Sequence, residues 1–220
     1  MYFTILKKYA KNNTATFWLI VINSLMFLIT IFTGGFTNSN LFALGALLPS
    51  SVKTDGEFIR ILLSMFLHGS FFHYLTNMIA LYFLGTAMER TLGPLRYLML
   101  YFISGIGGGI AIVLFGSLNT LTVGASGALY GIMAGMLYIT FTKKTWFTLA
   151  SVRSIRRMTI LNLIITFMFP NISIIGHLAG FVFGFIASAG LIPKYPYFVK
   201  FRSEERQDDG PIGGNDGYIS

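Results

Sequence analysis

Residues 124–131 read "GASGALYG", a serine set between glycines at the head of an apolar run that continues to Phe141. The surrounding chain is mostly hydrocarbon: of 220 residues, 54% are apolar and 11% charged, and the mean hydropathy is +0.69. Such a composition lies outside the soluble range and marks an integral membrane protein. The serine therefore either bonds back to its own helix or does something that needs a hydroxyl inside a membrane, and its surroundings decide between the two.

Apolar runs at residues 17–33, 73–88, 97–115, 126–141, 158–169 and 172–191 each approach the length of a membrane helix, giving six expected spans. The first follows a basic, polar stretch (Lys7, Lys8, Lys11, Asn12, Asn13) with no small-residue cleavage site behind it, so it reads as a retained helix. Fourteen of the sixteen basic residues fall before span 1, between spans 2 and 3 (Arg90, Arg96), between spans 4 and 5 (Lys143, Lys144, Arg153, Arg156, Arg157) or after span 6. The opposite loops hold Lys53 and Arg60, so both termini are expected on the cytoplasmic side. Because the net charge of +8 is spread over four juxtamembrane segments, it suits anionic headgroups better than a nucleic acid, and no nucleic-acid partner is expected. With no cysteine, thiolate metal sites and cysteine nucleophiles are excluded.

The expected organisation is an all-α bundle in one piece: a cytoplasmic segment at 1–16, a six-helix membrane domain at 17–192, and a charged, glycine-rich tail at 193–220 with little to bury. A connection of about forty residues joins spans 1 and 2, and its "LFALGALLP" is apolar enough to rest in the interface.

Polar groups are costly in hydrocarbon, so their positions carry information. All three histidines, His68, His73 and His177, fall at or just before the outer ends of spans 2 and 6. His73 and Asn77 are four residues apart on one helix face, and Ser126 opens span 4 from the same side. From Ser126 to Thr142 the helix measures roughly 25 Å at ~1.5 Å per residue, which puts the serine below the outer surface of a core about 30 Å thick. The irregular "GSLNTLTVGA" before it must then dip into the membrane, surrounded by protein or water. Gly127, Gly131 and Gly135 form a row at four-residue spacing on span 4, as do Gly176, Gly180 and Gly184 on span 6. Such rows let helices approach closely, and facing rows would make Ser126 and His177 neighbours.

Taken singly, each feature has an ordinary explanation: a serine bonded to its own backbone, histidines at an interface, an asparagine as interhelical glue. Together they suit one chemistry. Neutral His177 can take the proton of the Ser126 hydroxyl and later return it to a leaving amine. His73, Asn77 and the Ser126 backbone N–H can stabilise the oxyanion. Glu89 lies sixteen residues after His73, roughly 24 Å along the helix, so a Ser-His dyad is the expected machinery. Metal chemistry is disfavoured, because no H-E-x-x-H is present and His68 and His73 at i, i+5 would diverge around a helix. A transporter would need a core carboxylate or lysine that the spans do not offer. No cofactor or metal is expected.

These residues resemble the rhomboid intramembrane serine proteases over nearly the whole membrane domain. "HGSFFHYLTN" resembles the histidine and asparagine motif of that family's second helix, "GASGALYG" its G-x-S-G nucleophile motif, "GHLAGFVFG" its catalytic-histidine helix and "ERTLG" the turn closing its second helix. The resemblance implies Ser126 as nucleophile within a frame set by Gly124 and Gly127, His177 as base, His73 and Asn77 as oxyanion donors, and Tyr130 packed on the histidine ring. It departs in the first loop, where "FIR" puts Ile59 at a position the family often fills with tryptophan while Arg60 remains. It further implies cleavage of single-pass or multi-pass membrane proteins in or beside their helices within the lipid bilayer. Span 5, ended by Pro170, is expected to form a lateral gate with span 2. A bacterial plasma membrane with the site opening outward is the expected setting. The alternative is a rhomboid-like protein that binds transmembrane helices in quality control without cutting.

Overall fold

The computed structural model describes residues 13–168 and 173–197. Lys7, Lys8, Lys11, Asn12, Pro170 and the tail from residue 198 onward lie outside the described residues. Helices account for nearly all of what is described: α1 (Thr14–Thr33), α2 (Asn38–Ala43), α3 (Pro49–Asp55), α4 (Ile59–Leu63), α5 (Phe71–Ala80), α6 (Thr86–Leu92), α7 (Pro94–Phe115), α8 (Ser126–Thr142), α9 (Leu149–Met168) and α10 (Ile174–Leu191). The turn Leu81–Gly85 between α5 and α6 is a π-helix, so 71–92 run as one continuous helical rod with a widened middle. α1, α7 and α10 are long and apolar enough to cross a membrane, while α8 is apolar and shorter. Trp18, Phe32, Phe72, Phe115, Phe167 and Ile186 stand exposed on the outside, where hydrocarbon rather than water would meet them without cost.

The rod is locked to α1 at both ends. At one end the buried Glu89 carboxylate accepts the Ala15 and Thr16 backbone N–H groups at 2.9 and 2.8 Å and the Thr16 hydroxyl at 2.6 Å. A helix start has unpaired N–H donors and a positive dipole end, and Glu89 supplies both an acceptor and a negative charge. At the other end Tyr74 stacks on Phe27 at 4.1 Å and shares a 2.7 Å hydrogen bond with Ser24.

α10 lies along both α7 and α8. The contact is backbone on backbone: a Cβ on Gly180 would overlap the Gly127 carbonyl, and one on Gly184 would overlap Gly131. Gly108 of α7 faces the Gly176 carbonyl in the same way, at 2.8 Å from where its Cβ would be. The glycine rows of α8 and α10 therefore face each other, and the pairing puts Gly127 against Gly180.

Two elements differ from the reading of the apolar runs. The expected fifth span begins earlier, at Leu149, and is 20 residues long, so Arg153, Arg156 and Arg157 sit on the helix and not in a loop. Hydropathy cannot register a helix whose first turns are polar; Arg156 reaches back to the Thr140 carbonyl at 3.2 Å and lies over Phe141 at 4.5 Å. The long first connection is also folded, into α2, α3 and α4. Buried Arg60 ties it together, donating to the carbonyls of Phe42 at 2.7 Å and Ala46 at 3.2 Å, with its guanidinium 3.9 Å above the Phe42 ring. Ile59 is exposed, so the anchoring falls to the arginine.

Candidate active site

The irregular segment 116–125 delivers the serine. Leu47 and Thr122 pair their backbones in an antiparallel bridge, the Ser50 N–H donates to Leu118 O at 3.1 Å, and the Gly124 N–H donates to Ser64 O at 2.8 Å. Backbone without a helix partner is costly at membrane depth, and here the first connection satisfies it. Gly124 adopts a φ of 129°, a conformation side chains resist, and a Cβ there would fall 2.7 Å from the His73 ring. Glycine at this position is thus required twice, by the turn and by the histidine beside it.

α8 then starts at Ser126 with no side chain capping it, which leaves its first N–H groups available to a ligand. α10 starts at Ile174, capped by the Ser173 hydroxyl, which accepts the Gly176 N–H at 3.3 Å. One residue past Gly176, His177 is buried and turned toward α8: its Nε2 and the Ser126 Oγ are 2.7 Å apart. Tyr130, one turn along α8 from Ser126, stacks on the imidazole at 4.1 Å with the planes 21° apart. Gly127 offers its carbonyl to the helix seam below the pair.

His73 and Asn77 share the inward face of α5, and Asn77 is buried. The Asn77 amide donates to the His73 carbonyl at 2.8 Å, so one of its two N–H bonds is committed to its own helix in this state. The His73 N–H donates to the Ser70 hydroxyl at 3.1 Å, which caps α5.

His68 departs from the reading of its spacing. It lies before α5 begins, so no helix turns it away from His73, and the two rings meet edge to face with centroids 5.2 Å apart. It is fully buried; burial foremost, and His73 second, hold its pKa down at about 3, so it is neutral at physiological pH.

Two residues were not singled out by sequence. Thr166 of α9 is buried, with its Oγ1 3.3 Å from His177 Nδ1 and in hydrogen-bond contact with the Tyr130 hydroxyl. Asn162, one turn earlier, offers its carbonyl to Tyr130 OH at 2.8 Å and to Thr166 Oγ1 at 3.0 Å. The available signal was their i, i+4 spacing on a single face of an apolar run. The buried residues of α9 are Thr159 and Thr166, so this helix meets the bundle interior through hydroxyls.

Comparison with known proteins matches residues 55–194 to the Rhomboid domain. The chain is similar to the rhomboid protease GluP of Bacillus subtilis, 36% identical over 189 residues that cover 85% of this chain and 37% of that protein. It is also similar to RHOMBOID-like protein 1 of Arabidopsis thaliana, 35% identical over 159 residues, 70% of this chain and 40% of that one. A third relative, Inactive RHOMBOID-like protein 8 of the same plant, is 37% identical over 99 residues, 45% of this chain and 28% of its own length. The chain spans about two-fifths or less of the length of each of these relatives.

Proposed function

Because this chain belongs to the rhomboid family, we propose that it is an intramembrane serine endopeptidase that hydrolyses peptide bonds in or beside the transmembrane helices of other membrane proteins. The observation that carries this reading is the 2.7 Å approach of Ser126 Oγ to His177 Nε2, within the range of a strong hydrogen bond, on helices held together backbone to backbone. In this reading Nε2 accepts the hydroxyl proton as Oγ attacks the scissile carbonyl carbon, the oxyanion is held by the Ser126 N–H, the Asn77 amide and the His73 ring, and the imidazolium returns its proton to the leaving amine. A water then repeats the sequence on the acyl-enzyme, and serine and histidine are restored.

The six-span topology belongs to this proposal. Alongside α1, α7 and α10, the rod at 71–92, α8 and α9 complete the crossing, both termini face the cytoplasm, and the dyad opens on the outer side of a bacterial-type plasma membrane. The substrate enters sideways between α5 and α9. Support for α9 as the moving side is that its buried contacts with the bundle are so few.

The test is cleavage of a transmembrane substrate in liposomes by the native protein beside Ser126→Ala, with fluorophosphonate labelling of the serine as a substrate-independent readout. Cleavage and labelling that vanish with the hydroxyl support the reading. A native protein that neither cuts nor labels moves the assignment to a binder of transmembrane helices that does not cut; one similar protein is named inactive.

A further inference from the structure

We propose that Thr166, on α9, is the positioning residue of the histidine base: its hydroxyl oxygen accepts the Nδ1 proton of His177 and so keeps Nε2 bare for the serine. The proposal rests on the Ser-His reading above and extends it to a third helix.

Proton counting around the cluster supports this direction. Four close contacts link Tyr130 OH, Thr166 Oγ1, the Asn162 carbonyl and His177 Nδ1. Each hydroxyl has one proton to give and the carbonyl has none. If Nδ1 is bare, two protons must serve four contacts; if Nδ1 carries its proton, three do. With Tyr130 donating to the carbonyl, Thr166 donates to the tyrosine oxygen or to the same carbonyl, and in either case a threonine lone pair is left for the Nδ1 proton. The tautomer that satisfies the cluster best is therefore the one that presents an unprotonated Nε2 at 2.7 Å from Ser126 Oγ. The imidazole of a general base needs its far nitrogen held in this way, because the wrong tautomer cannot accept the hydroxyl proton.

The ordinary reading of a threonine in a membrane helix is a bond back to its own i−4 carbonyl, and Thr166 makes that bond, to Asn162 at 3.0 Å. A self-satisfied hydroxyl has no need of His177 and Tyr130 as well. Nor does packing call for it, since valine has the same shape and no polar atom to bury. What the hydroxyl adds is a tie between the catalytic ring and α9. An outward displacement of α9 by an ångström or so would break the Thr166–His177 and Tyr130–Asn162 contacts together, so the helix proposed to admit substrate also carries the group that sets the base.

The experiment compares Thr166→Val, Thr166→Ser and the native protein in liposomes. Three quantities are read: kcat and KM for a transmembrane substrate, the rate at which a small fluorophosphonate arriving from water labels Ser126, and the ring-nitrogen NMR signals of His177 in 15N-histidine protein. Expected for valine is a fall in kcat on the order of 10-fold to 100-fold, by analogy with the loss of the outer partner that orients a metal-bound histidine. KM should change by less than about 2-fold, labelling should slow in parallel with kcat, and the nitrogen signals should move away from the Nδ1-protonated tautomer. Serine should restore all of these to within about 3-fold of native. Valine with native kcat and labelling overturns the proposal, as does a loss of kcat with native labelling, which would place the effect on substrate entry. Serine no better than valine overturns it as well. The nitrogen spectrum does not depend on turnover: if the native protein proved inactive, an Nδ1-protonated His177 that changes tautomer in the valine variant would still uphold the contact, and an unchanged spectrum would refute it.

Discussion

Gly180→Ala offers the most direct test of how packing creates the dyad. The methyl it adds would sit 2.8 Å from the Gly127 carbonyl carbon and 3.1 Å from its Cα, with the carbonyl oxygen nearer still. Ordinary contact begins at 3.4 Å, and every obstacle is backbone, so no rotamer change relieves the clash. The helices must part by more than about 0.6 Å, the shortfall at the carbonyl carbon, because the oxygen lies nearer still. Gly127 directly follows Ser126 and Gly180 lies one turn past His177, so the separation acts on the dyad itself. Its 2.7 Å bond would lengthen past about 3.3 Å, outside the reach of roughly 2.6–3.2 Å that a general base needs to take the hydroxyl proton. Overpacking of this kind costs about 1–3 kcal/mol of stability, and displacement of a catalytic group by about 1 Å costs on the order of 10²-fold in rate. We therefore expect kcat to fall about 100-fold with KM nearly unchanged, fluorophosphonate labelling to slow in step, and the unfolding midpoint in mild detergent to drop. Gly190→Ala is the control, since a Cβ there meets nothing within 4 Å. It should leave kcat untouched and stabilise α10 slightly, by up to about 1 kcal/mol from helix propensity. A Gly180→Ala protein with native kcat and native labelling would refute the claim that backbone contact between α8 and α10 sets the geometry.

Three other perturbations address separate parts of the proposed mechanism and of the fold. Asn77→Ala should lower turnover on the order of 10²-fold, the usual cost of one oxyanion donor, and unchanged turnover would remove Asn77 from the oxyanion site. A crosslink between cysteines introduced into α5 and α9, on a background that holds no native cysteine, should abolish cleavage of an embedded substrate while sparing fluorophosphonate labelling; full cleavage in the locked protein would refute entry between these helices. Buried His68 predicts acid lability. Its folded pKa of about 3 lies below an unfolded value near 6.5, so its contribution is whole above pH 6.5 and shrinks as pH falls toward 3. The loss is about 2 kcal/mol by pH 5 from the same linkage, and a His68→Gln variant whose midpoint falls as steeply as the native protein's between pH 7 and pH 5 would contradict it.

What could be read from the sequence follows from the solvent. A membrane makes polar side chains expensive, so Ser126, His177, His73 and Asn77 stand out against hydrocarbon, and the six spans expected from the apolar runs would assign them one leaflet. Thr166 does not stand out, because a threonine can satisfy itself on its own helix and five others (Thr140, Thr142, Thr145, Thr148 and Thr159) lie in α8, α9 or the link between them, with nothing in the spacing to say which has partners elsewhere. The polar start of α9 was hidden because its arginines count as loop charges until a helix is seen to carry them. His68 departs from its spacing because α5 begins only at Phe71, so no helix runs through both histidines. The short helices of the first connection, five to seven residues each, are too brief to show a period and depend on Arg60 for their arrangement.

The deepest gap concerns register. Two glycine rows can face each other in more than one alignment: a slip of four residues, about 6 Å along the helix, would bring the next glycine of one row opposite the other and keep the close approach. It would also carry His177 a full turn from Ser126. The rows make contact possible without choosing among alignments, and the choice falls to the side chains that line them. Ser104 of α7 fills the space against Gly131, Ser188 of α10 lies 3.0 Å from where a Gly135 Cβ would be, and the Phe183 ring covers Gly107. A slip of α10 would part Ser188 from Gly135 and Phe183 from Gly107. The distance between Ser126 and His177 is thus set by residues up to three turns away that bear no chemistry of their own, which is why the sequence can point to the two partners and remain silent on what aligns them.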